Sequence, residues 1–510
     1  LKSGASNCRE REASKHYGCP GSRLGMRGSG ILCHLTSLPS ESGKGCLGHH
    51  ALRFLDVLQS TGQSVWQMLP IHPPDQYDSP YASTSAFAGD VNLLDRDIRI
   101  RPFTRGGLLD FRKLNPWVHD WALYQIAKQQ HGGAAWSEWE EPIRRRETSA
   151  LEEMRGRNLK DYWRHIGEQQ AFEQQWSELR RAAEERGVEL VGDLPFFVAG
   201  DSADVWANQH LFQLDESGQP IAVSGVPPDA FSDDGQYWGT PLFAWNEHRS
   251  DGFSWWRKRV EVALKRFHRL RIDHFRAVEE YWSIPANSDN ARYGEWKEGP
   301  GDELLTALCT VAGEGRLIAE DLGIIPATVI EMRRRHNLPG MAVLHFAFDG
   351  SEKNPHLPGN ITEDVICYTG THDNDTTVGW YSTIEQNTRE NIAQALSGES
   401  TIDKGERPIH RRLIRAALAS RAATTILALQ DVMGLDSSAR MNTPGTREGN
   451  WNWQFMWTDI AQNDLNWLAA ITEATGRWQE GRFSTGGMRM VVPSVLELAV
   501  VLAWKMPQQK

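Results

Sequence analysis

The chain has 510 residues, with 55 Lys and Arg against 66 Asp and Glu, and a formal net charge of −11. This surplus of negative charge argues against a nucleic-acid partner and against attachment to an anionic membrane. Apolar residues make up 40% and charged residues 24%, a composition typical of globular proteins rather than disordered or fibrous ones. No apolar stretch approaches the ~20 residues of a membrane span. A soluble globular protein is therefore predicted.

The cysteines and the first residues of the chain bear on its location. The six cysteines form no Cys-x-x-Cys pair and show no zinc-like spacing, so free thiols and no metal are predicted. No secretion signal opens the chain, which predicts a cytoplasmic protein. Residues 1–26 lack apolar periodicity and are interpreted as a disordered leader or a cloning remnant, with Met26 as a start. A plastid transit peptide is the alternative, which Glu10 and Glu12 disfavour.

Short apolar runs recur along the chain, and many are followed by a loop rich in Gly, Pro or Asp and then by helical periodicity. The predicted strands are 30–34, 64–69, 188–193, 270–273, 317–320, 341–346, 365–368 and 439–442. The predicted helices include 49–61, 158–186, 254–267, 302–312, 326–336 and 409–433. Eight strands alternating with helices predict an α/β fold, a parallel sheet closed into a (β/α)8 TIM barrel. A doubly wound open sheet is the alternative.

Two long insertions follow the second and third predicted strands. Residues 77–187 are too long for a plain connection and are predicted to form a mostly helical inserted subdomain. Residues 201–253 are loop-like and are predicted to lie at the active site, because loops after barrel strands line the catalytic face. The catalytic barrel is predicted over 27–477, and residues 478–510 form a tail of unclear structure.

Tryptophan is unusually frequent, with 21 residues in the chain. The flat face of an indole suits the apolar face of a sugar ring, while its N–H remains a hydrogen-bond donor. The composition therefore points towards carbohydrate, although most of these tryptophans are individually expected to fill the core.

Two acidic residues end predicted strands in settings that suit catalysis. Asp273 ends the strand 270–273, where alternation puts Arg271 on the same face and Ile272 on the other. A guanidinium so close is expected to lower the pKa of the carboxyl, as a nucleophile requires. A purely structural ion pair is the alternative. Glu320 follows three apolar residues, and desolvation there is expected to raise its pKa towards that of a general acid.

A third acid, Asp373, lies with His372 after the strand 365–368. An EF-hand calcium loop that starts at Asp373 is excluded, because such a loop needs Gly at its sixth position and Glu at its twelfth, and the sequence has neither. The pair instead suits gripping hydroxyls or opposing positive charge in a transition state. Together the three acids resemble the apparatus of glycosidic bond cleavage. A retaining reaction needs two carboxyls ~5–5.5 Å apart, which adjacent strand ends can supply.

Residues 43–48 spell G-x-G-x-x-G, the pattern of a dinucleotide-binding loop. The segment does not directly follow a predicted strand, and no acidic residue lies some twenty positions further on. It is therefore interpreted as a flexible loop, and no nucleotide cofactor is predicted.

Four segments resemble the four signature regions of the amylomaltases, the 4-α-glucanotransferases or disproportionating enzymes related to the α-amylases. They are residues 192–199 (GDLPFFVA), 271–276 (RIDHFR), 319–323 (AEDLG) and 371–376 (THDNDT). Further similarity lies at 29–39, 78–89, 225–239, 281–286 and 450–453, so the resemblance extends from about 27 to 477.

The resemblance implies roles for particular residues and the need for neither a metal nor a cofactor. It identifies Asp273 as the nucleophile, Glu320 as the general acid/base and Asp373 as the transition-state stabiliser. The residues that it implies in substrate binding are Tyr81, Asp193, Trp238, Arg271, His372 and Asn442. Among them, Tyr81 is similar to an aromatic that stacks beneath the sugar, Trp238 lies in a loop over the groove, and Asp193 is a structural or substrate-contacting acid.

The implied function is the transfer of α-1,4-glucan segments between maltooligosaccharides, amylose or glycogen-type glucans by a retaining double displacement. A hydrolase that uses the same three acids is an open alternative. A non-enzymatic glucan-binding protein is a second one, which the intact acids disfavour. No oligomeric state follows from the sequence.

Overall fold

A computed structural model describes residues 27–41, 43–97, 103–228, 234–396 and 408–478. The predicted leader 1–26 and all but the first residue of the predicted tail 478–510 lie outside the described residues, as do residues 229–233. The described residues form the twelve strands β1–β12: Gly28–Leu32, Val65–Gln67, Glu189–Leu194, Ala222–Val226, Gln236–Pro241, Arg269–Ile272, Glu280–Pro285, Glu295–Glu298, Leu317–Ala319, Gly340–Val343, Val365–Tyr368 and Thr424–Ala428. They also form the sixteen helices α1–α16: His49–Ser60, Arg105–Leu114, Trp117–Gln130, Glu141–Arg144, Thr148–Arg157, Leu159–Glu185, Ala203–Ala207, Trp245–Ser250, Ser254–Arg266, Gly301–Ala312, Ala327–Arg335, Thr377–Thr383, Gln386–Ala395, Ile409–Ala419, Leu429–Met433 and Gln462–Ala474.

Eight strands form one parallel sheet in the order β10-β11-β12-β1-β2-β3-β6-β9. The two end strands of this order meet, because the N–H of Ala319 in β9 donates to the carbonyl oxygen of Pro339, just before β10, at 2.8 Å. Helices follow most of the strands. The sheet is therefore a (β/α)8 barrel, which confirms the predicted fold and excludes the doubly wound alternative.

The barrel strands bury both of their faces, which is why they appear in the sequence as nearly continuous apolar runs. Their inward side chains fill the barrel and include Leu32, Val65, Val191, Ile318, Val343 and Ile426. Their outward neighbours pack against the helices and include Ile31, Trp66, Leu190, Ile272, Ala319 and Leu427. A few polar side chains are nevertheless buried in the barrel strands, among them Arg271 of β6. Among the described helices, none has both the length and the apolar character that crossing a bilayer would take.

The eighth barrel strand lies elsewhere than predicted. The predicted strand 439–442 is wrong: these residues do not pair with a strand, although Met441 points into the barrel core at 5% exposure and so mimics strand alternation. The true eighth strand, β12, lies inside the predicted helix 409–433. Its sequence TTILA is rich in β-branched residues, which favour strands. The strand lies between α14 and α15, and because both flanking segments have helical periodicity, the predicted helix ran through the strand as well.

The segments after β2 and β3 carry additional structure. Helices α2 to α6 occupy the long segment between β2 and β3, whose assignment to a separate subdomain stays a prediction. The segment 201–253 was predicted as loop, but it contains β4 and β5. These strands join β7 and β8 in an antiparallel sheet of order β5-β4-β7-β8. Sequence patterning missed β4 and β5 because their glycines and prolines resemble turns.

Candidate active site

The predicted acids gather at the carboxyl ends of the barrel strands. Asp193 lies near the end of β3, Asp273 directly follows β6, and Glu320 directly follows β9. His372 and Asp373 lie in the loop after β11. In (β/α)8 barrels this end carries the catalytic residues, because the loops that follow the strands converge there.

Arg271 connects two of these acids from inside the barrel. Its Nη2 donates to Asp273 Oδ1 at 2.9 Å and to Asp193 Oδ2 at 2.6 Å, while its Nε donates to Asp193 Oδ1 at 3.0 Å. The predicted placement of Arg271 and Asp273 on one face is confirmed. The Asp193 side chain has 0% exposure, against 29% for Asp273. Asp193 therefore holds the guanidinium, and Asp273 is the acid that a substrate can reach.

Backbone N–H groups hold the Glu320 carboxyl. Its Oε2 accepts from His274 N at 2.7 Å, and its Oε1 accepts from Leu322 N at 3.1 Å. His274 has a φ of 51°, in the left-handed region that residues other than glycine rarely adopt, and this turn is part of the geometry that points its N–H at Glu320. Burial, together with the negative charge of Asp273, raises the pKa of Glu320 to about 8. The predicted raised pKa is confirmed.

The expectation that the pKa of Asp273 is lowered is wrong. Arg271 does lower it, but burial outweighs the guanidinium and the charge of Asp373 adds to the increase, so the pKa of Asp273 lies above its usual value. The two carboxyls Asp273 and Glu320 therefore compete for one proton. Because Asp273 accepts from a cation, whereas Glu320 accepts from the neutral amides of His274 and Leu322, the proton resides on Glu320 and the negative charge on Asp273.

Tyr81 links Asp193 to His372. Its hydroxyl donates to Asp193 Oδ2 at 2.7 Å and lies 2.8 Å from His372 Nε2. Since the single hydroxyl proton goes to Asp193, His372 donates from Nε2. Burial lowers the pKa of His372, so the ring is neutral and its proton lies on that nitrogen. The two rings stack at 5.2 Å with 13° between their planes.

Trp451 supports this stacked pair and was missed as a site residue. Its ring lies 5.6 Å from that of Tyr81 and 6.0 Å from that of His372, measured between centroids. Its φ of 65° is an outlier for a bulky residue. The family resemblance at 450–453 includes this residue, but no local sequence pattern predicts that a tryptophan adopts the left-handed backbone conformation. Strained conformations of this kind persist where the surrounding structure imposes them, commonly at functional sites.

Asp373 is more open than Asp273, with 49% of its side chain exposed against 29%. Asn442 Nδ2 donates to its Oδ1 at 2.6 Å, and His372 Nε2 lies 3.4 Å from the same oxygen. Asn442 thus contacts Asp373 directly. Both of these contacts are to Oδ1, so that among the described residues the other carboxylate oxygen, Oδ2, is available to an incoming hydroxyl.

Trp238 approaches from the antiparallel sheet, on β5. Its ring meets His274 edge-on at 4.8 Å, and its Nε1 donates to Gln236 Oε1 at 3.1 Å. With 39% exposure it is the most exposed tryptophan of the described residues, whereas six others are almost fully buried. Trp238 therefore offers an aromatic surface beside the turn that joins Asp273 to His274. Within the described residues, no group of three or more His, Cys, Asp or Glu side chains is placed to hold a metal ion.

A (β/α)8 barrel that carries a proton-bearing carboxyl and an ionised carboxyl at neighbouring strand ends defines an enzyme acting on glycosidic bonds. Comparison with protein families agrees: the model described as 4-alpha-glucanotransferase matches residues 33–110 and 101–459. The chain belongs to the 4-alpha-glucanotransferase family. The family predicted from the four segments is thereby confirmed.

Individual relatives cover nearly the same length. The 4-alpha-glucanotransferase of Thermus thermophilus is 40% identical over 88% of this chain and 99% of its own. The chloroplastic/amyloplastic enzyme DPE1 of Arabidopsis thaliana is 39% identical over 84% and 81%. Among solved structures, the amylomaltase from Streptococcus agalactiae in complex with acarbose matches with a TM-score of 0.83 at 33% identity, covering 88% of this chain and 99% of its own.

Proposed function

We propose that this chain transfers α-1,4-glucan segments through a covalent glycosyl-enzyme, with Asp273 as nucleophile and Glu320 as general acid/base. The observation that carries the proposal is the division of roles between these two carboxyls. Glu320, with a pKa raised to about 8, holds a proton at neutral pH, while Arg271 stabilises negative charge on Asp273. A double displacement requires one acid and one anion at the same bond.

In the first step, Glu320 protonates the glycosidic oxygen while Asp273 attacks the anomeric carbon and the bond to the leaving glucan breaks. The Glu320 carboxylate then removes a proton from the 4-hydroxyl of an incoming sugar, which attacks the anomeric carbon and releases Asp273. Two inversions give net retention of configuration. The proton taken from the acceptor hydroxyl restores the acid form of Glu320 for the next donor, so one group serves both half-reactions.

Two further residues, Asp373 and Tyr81, are assigned to the sugar at the cleavage point. Asp373, half exposed and bonded to Asn442 through one oxygen, opposes the positive charge that develops on the ring in the transition state. Tyr81, stacked on His372 and fixed by Asp193, offers an aromatic face beneath the sugar. The firm anchoring of each group supports the assignment, since preorganised groups lose little freedom during the reaction.

Transfer, rather than hydrolysis, requires that a sugar acceptor compete with water. An aromatic surface at the leaving-group side helps to bind the acceptor and exclude water. Trp238, exposed beside His274, supports this role. Family membership favours transfer over the hydrolase alternative.

The proposed substrates are maltooligosaccharides, amylose and glycogen-type glucans. The names of the relatives support this class, as does the acarbose bound to the Streptococcus agalactiae amylomaltase. The cytoplasm remains the proposed location, with a plastid as the alternative because the Arabidopsis relative is named chloroplastic/amyloplastic. Fractionation of the source cells with an antibody against this chain distinguishes the two.

Incubation with maltotriose tests the proposal. The wild type is expected to produce glucose together with maltooligosaccharides longer than the substrate, visible in a chromatographic ladder. Asp273→Asn is expected to lose this activity by several orders of magnitude, because the nucleophile is gone. Asp110→Asn, a change at a surface residue with 74% side-chain exposure, serves as the matched control. Products of hydrolysis without any lengthening would contradict transfer, and full activity of Asp273→Asn would contradict the mechanism.

A further inference from the structure

We propose that Arg440 is a positioning residue for Asp373, acting through the backbone of the loop that carries this acid. The inference rests on the proposed function, in which the Asp373 carboxylate stabilises the transition state. Nothing in the sequence patterns singled out Arg440. It belongs to the segment 439–442, which is predicted as a strand; in the structure Ala439 ends a short 3-10 helix, and the segment joins no sheet and lies beside the catalytic loop.

The guanidinium of Arg440 connects the two segments that form this side of the site. Its Nη2 donates to the carbonyl oxygen of Asp373 at 2.8 Å, and its Nε donates to the carbonyl oxygen of Asn442 at 2.7 Å. Two more bonds join the same segments: Asn442 N donates to the His372 carbonyl oxygen at 3.1 Å, and Asn442 Nδ2 donates to Asp373 Oδ1 at 2.6 Å. Three of these bonds cross between the two segments, and Arg440 supplies one of them, while its bond to the Asn442 carbonyl oxygen orients the guanidinium within its own segment.

Among the described residues, the other restraints on Asp373 are weak, and one of them is the 3.4 Å contact between His372 Nε2 and its Oδ1. The loop between β11 and α12 restrains it locally through a long bond of 3.3 Å from Asp373 N to Thr371 Oγ1. Its side chain is half exposed, so packing does not fix the carboxylate. A charge that stabilises a transition state must be in place before the reaction, and a displacement of about 1 Å can cost roughly a hundredfold in rate.

The geometry requires arginine rather than any cation. Nε and Nη2 lie on one edge of the planar guanidinium and point in parallel, which lets a single side chain bind two carbonyl oxygens at once. A lysine ammonium is a point donor on a flexible stem and does not reproduce this fork. Arg440→Lys therefore keeps the charge but loses the simultaneous contact with both segments.

The segment that carries Arg440 has other anchors. Met441 is buried in the barrel core, and Ser437 Oγ donates to Asp375 Oδ2 at 2.7 Å. Removing the guanidinium is therefore expected to loosen Asp373 while leaving the segment and the fold in place. This separates a positioning role from a general contribution to stability.

A double-mutant cycle tests the inference with the full chain and maltotriose as donor. Arg440→Met is expected to lower kcat roughly 10- to 100-fold with little change in KM, because the lost interaction is used mainly in the transition state. In an Asp373→Ala background the same change should have almost no further effect, since its target is absent. Arg440→Lys should show a loss in kcat similar to that of Arg440→Met. Arg421→Met, at an exposed residue just before β12 on the opposite end of the barrel, should behave as wild type.

The outcomes are separable. Equal losses from Arg440→Met in the wild-type and Asp373→Ala backgrounds would mean a merely structural role and would overturn the inference. Wild-type kcat in Arg440→Lys would overturn it as well, and this variant decides the matter should Arg440→Met fail to fold. If Asp373→Ala itself keeps full activity, the proposed function fails, whatever the result at Arg440.

Discussion

Arg271 determines which of the two carboxyls, Asp273 or Glu320, carries the proton. It is almost fully buried and donates to both Asp193 and Asp273, so that the anion at Asp273 is stabilised by a fixed cation. Glu320 instead accepts from the backbone amides of His274 and Leu322. Because the two neighbouring carboxyls have such different partners, Glu320 keeps the proton and Asp273 carries the negative charge.

The raised pKa of Glu320 predicts the basic limb of the pH profile. Glu320 must carry a proton to cleave the donor, and its pKa is raised to about 8 by burial and by the charge of Asp273. We expect kcat/KM to be lost as the pH rises through about 8, because the acid form disappears there. Initial rates with maltotriose between pH 5 and 10 measure this limb. A rate that stays constant to pH 10 would contradict the assignment of Glu320 as the acid.

Asp193 should matter for stability as well as for activity. Replacing it with asparagine leaves the buried Arg271 without its bidentate partner, and breaking a buried ion pair in this way costs about 3–5 kcal/mol. Glu153→Gln, which breaks an exposed pair with Arg157, should cost at most ~1 kcal/mol. Denaturant unfolding compares the two variants. Similar stabilities would show that the pair formed by Asp193 and Arg271 is not essential to the barrel.

At the scale of elements, the close approach of β1 and β2 depends on one glycine. A Cβ at Gly30 would lie 2.3 Å from the carbonyl oxygen of Val65, a distance that no side chain tolerates without backbone movement. In α5, by contrast, a Cβ at Gly156 meets nothing within 4 Å. Both strands contribute side chains to the barrel core and end at the catalytic face. A shift of one strand against the other therefore alters both the packing of the core and the geometry of the active site.

Two matched Gly→Ala substitutions test this packing. Gly30→Ala is expected to destabilise the protein by about 1–3 kcal/mol through overpacking. Gly156→Ala is expected to stabilise it by about 0.5–1 kcal/mol, because alanine is the better helix former and the position is open. Thermal or denaturant unfolding gives both values. A neutral or stabilising Gly30→Ala would mean that β1 and β2 lie further apart than described.

The elements also show what the sequence could predict. Seven barrel strands were recognised because buried parallel strands are apolar and end at Gly, Pro or Asp. The eighth, β12, was hidden between two helices, and the alternation around Met441 imitated it. The pKa direction of Glu320 followed from its apolar neighbours, whereas that of Asp273 depended on how deeply the fold buries it, which no local pattern reveals. The left-handed Trp451 and the contacts of Arg440 likewise arise from tertiary structure.

At the scale of the whole molecule, Arg477 joins distant parts of the barrel. It has no exposed surface and donates to the carbonyl oxygens of Leu418, Gly28, Ser420 and Ala422. These acceptors lie in the last turn of α14, in the segment between α14 and β12, and at the start of β1, so one side chain closes the end of the barrel opposite the active site. Two of these carbonyl oxygens, those of Leu418 and Ser420, also accept from Arg27 Nη2, at 3.0 and 2.6 Å, so the two arginines together satisfy the backbone acceptors at this end of the barrel.

Arg477→Lys should therefore destabilise the protein by at least ~2 kcal/mol, because an ammonium cannot serve four carbonyls in this fixed arrangement. Arg421→Lys, at an exposed position nearby, should change stability by no more than ~0.5 kcal/mol. Unfolding in guanidinium chloride measures the difference. Activity of the folded Arg477→Lys enzyme should be unchanged, since the residue lies far from the acids. Equal stability of both variants would contradict this role.

The most direct test of the mechanism is to trap the covalent intermediate. In Glu320→Gln, an α-maltosyl fluoride donor still reacts, because fluoride leaves without protonation, but no base remains to activate an acceptor. A glycosylated enzyme should therefore accumulate, and mass spectrometry of its peptides should locate the sugar on Asp273. A sugar attached to Asp373 or to any other residue, or release of product with no adduct formed, would contradict the account.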